Sequence, residues 1–187
     1  MTEPKAVAVF GSSATEPDSA AWVAAENTGK RCAEAGYAVV TGGYGGTMEA
    51  VSKGASDAGG EAIGVTAPSL FPGRSGVNRY VTREIVAGSL MERLDTLTGL
   101  ASGVIVLPGS IGTLTELSIA WNLNHVNRLN EGRRLPTVAV GTGWRRFWEL
   151  ATGSLGAFGG DVHVVDSADE AVEWLLAQPE MTPAPAG

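Results

Sequence analysis

The stretch Gly103-Val-Ile-Val-Leu-Pro-Gly-Ser-Ile-Gly-Thr-Leu-Thr-Glu116 predicts a strand, a glycine-rich turn and the beginning of a helix. Residues 103–107 are continuously apolar, which is typical of a strand buried on both faces of a parallel sheet. Pro108-Gly-Ser-Ile-Gly112 then turns the chain into a helix that we expect to run from Thr113 to about Val126. The stretch therefore indicates an α/β fold.

Strand-like and helix-like segments also alternate on either side of this stretch. The other predicted strands are 6–10, 37–40, 61–65, 81–86, 137–140 and 162–165. The other predicted helices are 15–35 (with Pro17 in its first turn), 47–58, 89–100, 144–150 and 168–176. This alternation predicts a Rossmann-like, doubly wound, mainly parallel sheet with helices on both faces. We expect one domain over residues 1–178 and a flexible tail over residues 179–187.

Composition limits the possible classes of function. The chain has 187 residues and a net charge of −7, which argues against the basic surface that a nucleic-acid partner needs. No apolar run approaches the ~20 residues needed to span a membrane, and the first residues lack the pattern of a signal peptide. The one cysteine, Cys32, lies in a helical run, which favours a buried apolar side chain over a reactive thiol. We therefore expect a cytoplasmic protein without a nucleic-acid or membrane partner.

Three segments that follow predicted strands are candidates for a ligand site: Gly11-Ser-Ser13, Gly42 to Thr47 and Pro108 to Thr113. Ligands of parallel α/β sheets bind beyond the carboxyl ends of the strands, so we expect these segments to meet. Glycine lets a ligand approach the backbone closely, and the amino terminus of a helix favours an anion. Because two glycine-rich turns follow strands that we expect to be adjacent, a phosphate site is favoured over purely structural turns. Neither turn is a Walker A loop, since no Gly-Lys-Ser/Thr follows the glycines.

Glu116 and Arg93 each have two interpretations. Thr113-Leu-Thr-Glu116 matches a capping box, in which the glutamate stabilises the helix terminus. Ser167-Ala-Asp-Glu170 has the same spacing at a helix where no chemistry is expected, so spacing alone does not indicate catalysis. The glycine-rich turn before Thr113 is what would place Glu116 beneath a bound phosphate. Arg93 is either a surface arginine or an anion partner, and three more arginines near the central loop are equally plausible anion partners: Arg74, Arg79 and Arg83.

Two further classes of site receive no support. His125 and His163 are far from any cysteine or carboxylate cluster at metal-ligand spacing, so we expect no metal. The sequence also lacks a Gly-x-Ser-x-Gly elbow, and a hydrolase triad is therefore not supported.

Met91-Glu-Arg93 and Pro108-Gly-Ser-Ile-Gly-Thr-Leu-Thr-Glu116 together resemble two motifs of the Lonely Guy (LOG) family, Met-x-x-Arg-Lys and Pro-Gly-Gly-x-Gly-Thr-x-x-Glu. Gly42-Gly-Tyr-Gly-Gly-Thr-Met48 resembles that family's first glycine-rich turn, and the likeness covers roughly residues 6–150. The arginine here follows Met91 by two residues instead of three, Leu94 replaces the lysine, and Ser110 replaces the second glycine. These departures bring the chain closer to related nucleotide-binding proteins, including the molybdenum cofactor carriers.

LOG proteins are cytokinin riboside 5′-monophosphate phosphoribohydrolases, and many relatives were once labelled lysine decarboxylases. The resemblance implies hydrolysis of the N-glycosidic bond of a purine or cytokinin-type nucleoside 5′-monophosphate, without a metal or other cofactor. Glu116 and Arg93 would be the catalytic residues. The 5′-phosphate would be bound by Gly109, Ser110, Gly112 and Thr113, and the nucleoside by Gly11, Ser12, Gly42, Gly43 and Met91. The decarboxylase label does not fit, because that chemistry needs a Schiff-base lysine and neither Lys5, Lys30 nor Lys53 lies at a suitable strand end.

Two alternatives to a hydrolase stay open. One is a non-catalytic nucleotide or molybdenum-cofactor carrier that uses the same cleft, and the other is a dimer module with an assembly role. The family implies a homodimer. The helix after Gly112 is apolar on two sides, with Leu114, Leu117 and Trp121 on one and Ile119, Leu123 and Val126 on the other. Such a helix is covered twice, by its sheet and by either a second subunit or another helix of the same chain.

Overall fold

A computed structural model describes residues 5–73, 76–155 and 160–181, which form seven strands and six α-helices. The strands are β1 (Ala6–Phe10), β2 (Ala38–Thr41), β3 (Ala62–Thr66), β4 (Arg83–Val86), β5 (Ala101–Val106), β6 (Thr137–Val140) and β7 (His163–Val165). The helices are α1 (Ala20–Glu34), α2 (Thr47–Asp57), α3 (Leu90–Leu100), α4 (Ile111–Leu129), α5 (Thr142–Leu155) and α6 (Ala168–Leu176). Strands and helices alternate along the described chain except between β3 and β4, which are joined by a loop. The described helices include none that is both long and apolar enough to span a membrane.

The strands form one parallel sheet in the order β4-β3-β2-β1-β5-β6-β7. This order confirms the predicted Rossmann-like α/β class. The prediction that the two glycine-rich turns follow adjacent strands was wrong, because β1 lies between β2 and β5. The chain first adds strands on one side of β1 and then crosses to the other side, so the turn after β1 lies between the other two turns. The result is a topological switch point, where open α/β sheets bind ligands.

The sheet is covered on both faces, and β1 shows how the strand period divides the core. Val7 and Val9 belong to the apolar cluster formed with α1, α2 and α6. Ala8 and Phe10 point the other way and belong to the cluster formed with α3, α4 and α5. Because successive side chains alternate between faces, a strand that is apolar throughout fits this three-layer arrangement.

The beginning of α1 corrects the predicted start at Thr15. The helix begins at Ala20, and Ser19 is its N-cap, with a side-chain oxygen that accepts a hydrogen bond from Trp22 N at 3.2 Å. Asp18 has φ of +61°, which is incompatible with a helix at that point. Thr15 instead contacts Thr47 through their hydroxyl oxygens, 2.8 Å apart, and so links the turn after β1 to α2.

The end of the described chain also differs from prediction. Pro179–Met181 forms a 3-10 turn in place of the beginning of a flexible tail, and Met181 is fully buried. The Tyr37 hydroxyl donates a hydrogen bond to the Met181 carbonyl oxygen, which fixes the turn against the sheet. Residues 182–187 of the predicted tail lie outside the described residues.

Cys32 is buried, as the sequence predicted. Burial raises the pKa of its thiol to about 12, so the thiolate is not formed at neutral pH. The alternative of a reactive thiol is therefore excluded.

The outer face of α4 is only partly covered within the described chain. Leu117 is buried against the sheet, whereas Leu123 and Val126 are exposed. Among the residues that the structure describes, no second helix of the same chain covers these two side chains, and the homodimer stays a prediction.

Candidate ligand-binding site

Three turns meet at the carboxyl ends of β1, β2 and β5, as the sequence predicted. Ser12 N donates a hydrogen bond to Pro108 O at 3.2 Å, and the Ser12 carbonyl oxygen accepts one from Thr47 N at 2.9 Å. The turn after β1 is therefore bonded to both of its neighbours. A Cβ on Gly11 would lie 2.5 Å from Thr47 Cγ2, so only glycine fits where these turns pack together.

A cavity of about 230 Å³ opens where the turns meet. Its walls come from the ends of β1 and β2, the loop after β3 and the first turns of α3 and α4. The lining residues are Val9, Phe10, Gly11, Ser13, Gly42, Met48, Phe71, Arg93, Ser110, Ile111, Gly112, Thr113 and Glu116. We call this cavity the phosphate cavity, after the group that the sequence predicts it to bind.

The amino terminus of α4 forms one wall of the phosphate cavity. The helix begins at Ile111, two residues before the predicted start, and its N-cap is Ser110, whose side chain makes no capping hydrogen bond. The first backbone N–H groups of a helix have no intrahelical acceptor. Together with the helix dipole, these donors favour an anion in the cavity.

Thr113 lies inside α4 and is buried, so of the two interpretations of Glu116 the capping box at Thr113-Leu-Thr-Glu116 does not hold. The physical reason is the close approach of the preceding turn, since a Cβ on Gly109 would overlap the Thr113 side chain. With glycine at position 109, the helix begins at Ile111, and the Glu116 side chain contacts α3 instead of the helix terminus.

Arg93, on α3, is buried beneath the phosphate cavity and is not the surface arginine that was the alternative. Its Nε donates a hydrogen bond to the Val65 carbonyl oxygen at 2.8 Å. A Cβ on Gly42 would overlap the Arg93 guanidinium, which explains glycine at that position. The guanidinium carbon also lies 5.8 Å from the centroid of the Phe71 ring. Arg93 is therefore held on three sides.

Glu116 completes the base of the cavity by forming an ion pair with Arg93. Glu116 Oε1 lies 3.6 Å from an Arg93 guanidinium nitrogen, and the side chains are 12% and 7% exposed, respectively. Partial burial strengthens an attraction between charges that water would otherwise screen. The pair thus places a carboxylate and a guanidinium next to the donors of α4.

The structure brings most of the predicted site residues into one lining. Seven of them surround the phosphate cavity: Gly11, Gly42, Arg93, Ser110, Gly112, Thr113 and Glu116. This placement is a matter of geometry, and the binding and catalytic roles of these residues stay predictions.

Four predicted residues, Ser12, Gly43, Met91 and Gly109, do not line the cavity. The Ser12 hydroxyl accepts a hydrogen bond from Ala14 N at 3.1 Å, while Gly43 has φ of +76° and shapes the turn after β2. Met91 is 67% exposed, because it precedes Arg93 by two residues and so lies on the opposite side of α3 from the buried face. Gly109 acts through its close approach to Thr113.

Met48, Phe71 and Ser13 line the cavity but were not predicted as site residues. Met48 ends the second quoted glycine motif, so its position at the start of α2 was an available signal. Phe71 is the only aromatic residue between Pro68 and Arg79, a loop rich in proline, glycine and serine. Loop residues have no period that assigns a side chain to a face, and only the folded chain shows where Phe71 points.

The remaining candidate cations lie elsewhere. Arg83 Nε is 2.9 Å from Glu61 Oε1, and Arg79 lies against the Tyr80 ring, with 4.7 Å between the guanidinium carbon and the ring centroid. Arg74 lies outside the described residues. The lining of the phosphate cavity, as far as the described chain forms it, contains no lysine. In the same ranges, no group of three His, Cys, Asp or Glu residues is arranged to hold a metal ion.

With this geometry established, the sequence can be compared with known families. The model of the SLOG cluster4 family matches residues 4–133. The chain belongs to this family. Membership confirms the predicted resemblance to LOG-like proteins. No curated protein matches the chain significantly.

Solved structures that cover nearly the whole chain include two proteins linked to the molybdenum cofactor (Moco). The molybdenum cofactor binding protein of Rippkaea orientalis is 24% identical, with a TM-score of 0.71 over 93% of this chain and 96% of that one. The Moco carrier protein of Chlamydomonas reinhardtii is 25% identical, with a TM-score of 0.65 over 93% and 98%. DNA processing protein A of Streptococcus pneumoniae is 19% identical, with a TM-score of 0.56 over 92% and 62%. These similarities support the Rossmann-like fold.

Proposed function

We propose that this protein binds a small phosphorylated ligand, either a nucleoside 5′-monophosphate or a phosphorylated pterin such as the molybdenum cofactor, as a carrier or sensor. The observation that carries the proposal is the uncapped amino terminus of α4, which lines a cavity together with buried Arg93. The phosphate group of the ligand would accept hydrogen bonds from the first N–H groups of α4.

The local charges support a phosphate in a protein whose net charge is −7. Repulsion by distant surface carboxylates is screened over about 8–10 Å at physiological salt. The N–H groups of α4 would act on a phosphate at contact distance, where screening by water is weak, while the charge of Arg93 is shared with its ion-pair partner Glu116. Thr113 adds a hydroxyl group on the inner face of the same helix.

Similar proteins support the carrier form of this proposal. The proteins from Rippkaea orientalis and Chlamydomonas reinhardtii are described as molybdenum cofactor binding and carrier proteins. Both align with this chain over 93% of its length. A carrier needs affinity for the ligand and no bond cleavage, which the cavity can provide without further groups.

Calorimetric titration with AMP, GMP and ribose 5-phosphate tests this proposal. Thr113→Val removes a hydroxyl group from the lining, and Thr115→Val removes one from the same helix outside it. We expect about tenfold weaker binding for Thr113→Val, the loss of about 1.4 kcal/mol that one hydrogen bond represents. Thr115→Val should bind like the wild type. Absence of binding to the wild-type protein by every phosphorylated compound would contradict the proposal.

Hydrolysis of a nucleoside 5′-monophosphate is a second candidate, favoured by the position of Glu116. Its carboxylate borders the phosphate cavity and is 12% exposed. In a glycosidic cleavage, a carboxylate in that position stabilises the developing oxocarbenium ion and orients or deprotonates the attacking water. Arg93 would hold Glu116 in place through their ion pair.

Incubation of AMP with excess protein, followed by chromatography, separates the two candidates. A hydrolase releases adenine and ribose 5-phosphate, and Glu116→Gln should slow this release by about 10²–10⁴-fold. The carrier proposal predicts bound, intact AMP. Equal rates of release for the wild type and Glu116→Gln would contradict the assignment of Glu116 as the catalytic carboxylate.

A further inference from the structure

A second and larger cavity lies beside the phosphate cavity. Its volume is about 490 Å³, and we call it the distal cavity. The turn after β2, the first turn of α2 and the residues before β4 form its walls. The side chains that bear on the argument are Ser13, Tyr44, Glu49, Asn78 and Arg79.

The two cavities are neighbours in the fold. Ser13 lines both of them. Tyr44 lines the distal cavity and Phe71 the phosphate cavity, and these two rings contact each other edge to face with 5.7 Å between centroids. Ser13 and this pair of aromatic rings therefore lie where the two cavities adjoin.

The volumes leave room for one ligand that extends into both cavities. Small-molecule sites usually have volumes of about 300–1,000 Å³. The phosphate cavity alone, at about 230 Å³, is below this range, whereas the two cavities together fall inside it. A phosphorylated heterocycle whose phosphate lies at α4 would therefore extend past Ser13 into the distal cavity.

Glu49 is the carboxylate that the described residues contribute to the distal cavity. It lies in the first turn of α2, is half-buried, and has no hydrogen bond or ion pair with any residue that the structure describes. Two other polar groups of the wall are engaged in the fold: Asn78 donates hydrogen bonds to the Gly43 and Tyr44 carbonyl oxygens, and the Tyr44 hydroxyl accepts one from Ala67 N. Arg79 donates to the Tyr80 hydroxyl at 2.6 Å.

We propose that the two cavities form one site, in which the end of the ligand remote from its phosphate donates hydrogen bonds to Glu49. This inference rests on the proposed binding of a phosphorylated ligand. An ionised carboxylate only accepts hydrogen bonds, so its partner must present donors. Two neighbouring donors match the two carboxylate oxygens best. Guanine and pterin rings offer such a pair as an N–H group next to an amino group. The ribose of a nucleotide offers one as its two vicinal hydroxyl groups.

Affinities for GMP, IMP and 2′-deoxy-GMP test the inference. IMP lacks the amino group of guanine, and 2′-deoxy-GMP lacks one sugar hydroxyl. We expect Glu49→Gln to weaken GMP binding at least tenfold, because the amide places a donor against a donor of the ligand. Asp95→Asn is the control, since it removes the same charge from an exposed position on α3. Thermal unfolding without ligand shows separately whether Glu49→Gln changes the stability of α2.

Each outcome supports or overturns the inference. If the wild type binds IMP more weakly than GMP and this difference disappears in Glu49→Gln, Glu49 contacts the edge of the base. If the wild type binds 2′-deoxy-GMP more weakly than GMP and this difference disappears in the same variant, Glu49 contacts the sugar hydroxyls. If the wild type and Glu49→Gln bind all three nucleotides with equal affinity, the inference is overturned. The proposed function still stands in that case if Thr113→Val lowers the affinity for all three nucleotides. Absence of binding to the wild type overturns both.

Discussion

Two helices have the same sequence pattern near their amino termini, but the residues of the pattern make different contacts in each. Ser167-Ala-Asp-Glu170 and Thr113-Leu-Thr-Glu116 both have a hydroxyl residue three positions before a glutamate. At α6, Ser167 is the N-cap and accepts a hydrogen bond from Glu170 N at 3.2 Å, while Glu170 Oε2 accepts one from Asp166 N at 3.1 Å. At α4, the helix begins two residues before Thr113, and Glu116 forms an ion pair with Arg93.

A third copy of the pattern shows which of the two is unusual. Ser89-Leu-Met-Glu92 begins α3, where Ser89 Oγ accepts a hydrogen bond from Glu92 N at 3.1 Å and Glu92 Oε2 accepts one from Gly88 N at 2.7 Å. Two of the three glutamates therefore stabilise helix termini. The pattern therefore predicts the role of a glutamate only when the first residue of the helix is known. At α4, the close approach of Gly109 to Thr113 accompanies a helix that begins two residues earlier than the pattern predicts.

The largest difference should be seen when each glutamate is removed. Glu116→Ala leaves Arg93 buried without its ion-pair partner, and we expect a loss of about 3 kcal/mol in the free energy of unfolding. Glu170→Ala removes one hydrogen bond at an exposed helix terminus and should cost about 1 kcal/mol or less. Urea unfolding measures both. Equal losses would show that Glu116 is no more than a capping residue.

An intermediate effect is expected at the two glycines before Thr113. Gly109→Ala places a Cβ against the Thr113 side chain and should cost about 1–3 kcal/mol. A Cβ on Gly112 meets no atom within 4 Å, and Gly112→Ala should stabilise the helix by about 0.5–1 kcal/mol. The measurement is again the free energy of unfolding, with opposite signs expected. Destabilisation by both variants would argue against the early start of α4.

The smallest effect concerns the two N-cap serines. Ser167→Ala should cost about 1 kcal/mol of stability, because Ser167 Oγ accepts a hydrogen bond from Glu170 N. Ser110→Ala should cost less than about 0.5 kcal/mol, since Ser110 makes no capping bond. The affinity for ribose 5-phosphate should show the reverse: Ser110→Ala should bind it more weakly than the wild type, and Ser167→Ala should bind it equally well. A larger loss of stability for Ser110→Ala would contradict this assignment of the α4 cap.

Local signals were sufficient for most of the elements. Strand β6 and helix α6 have the predicted bounds, because both are short apolar or amphipathic segments with clear ends. The start of α1 was not predictable in the same way, since Thr15 and Ser19 are both acceptable N-caps by residue type. Only the contact of Thr15 with Thr47 explains why the helix begins later.

The same division holds for the candidate site. The sequence determined that three turns would meet at one edge of the sheet and that helix amino termini there would favour an anion. The reason is that parallel strands end at the same edge of a sheet and that the free backbone donors of a helix follow from local pattern. Only the tertiary structure decided that Glu116 contacts Arg93, that Phe71 lies against them, and that Glu49 borders a neighbouring cavity. Those relations join residues far apart in the chain. They depend on how α3, α4 and the loop after β3 pack over the sheet, which no local spacing specifies.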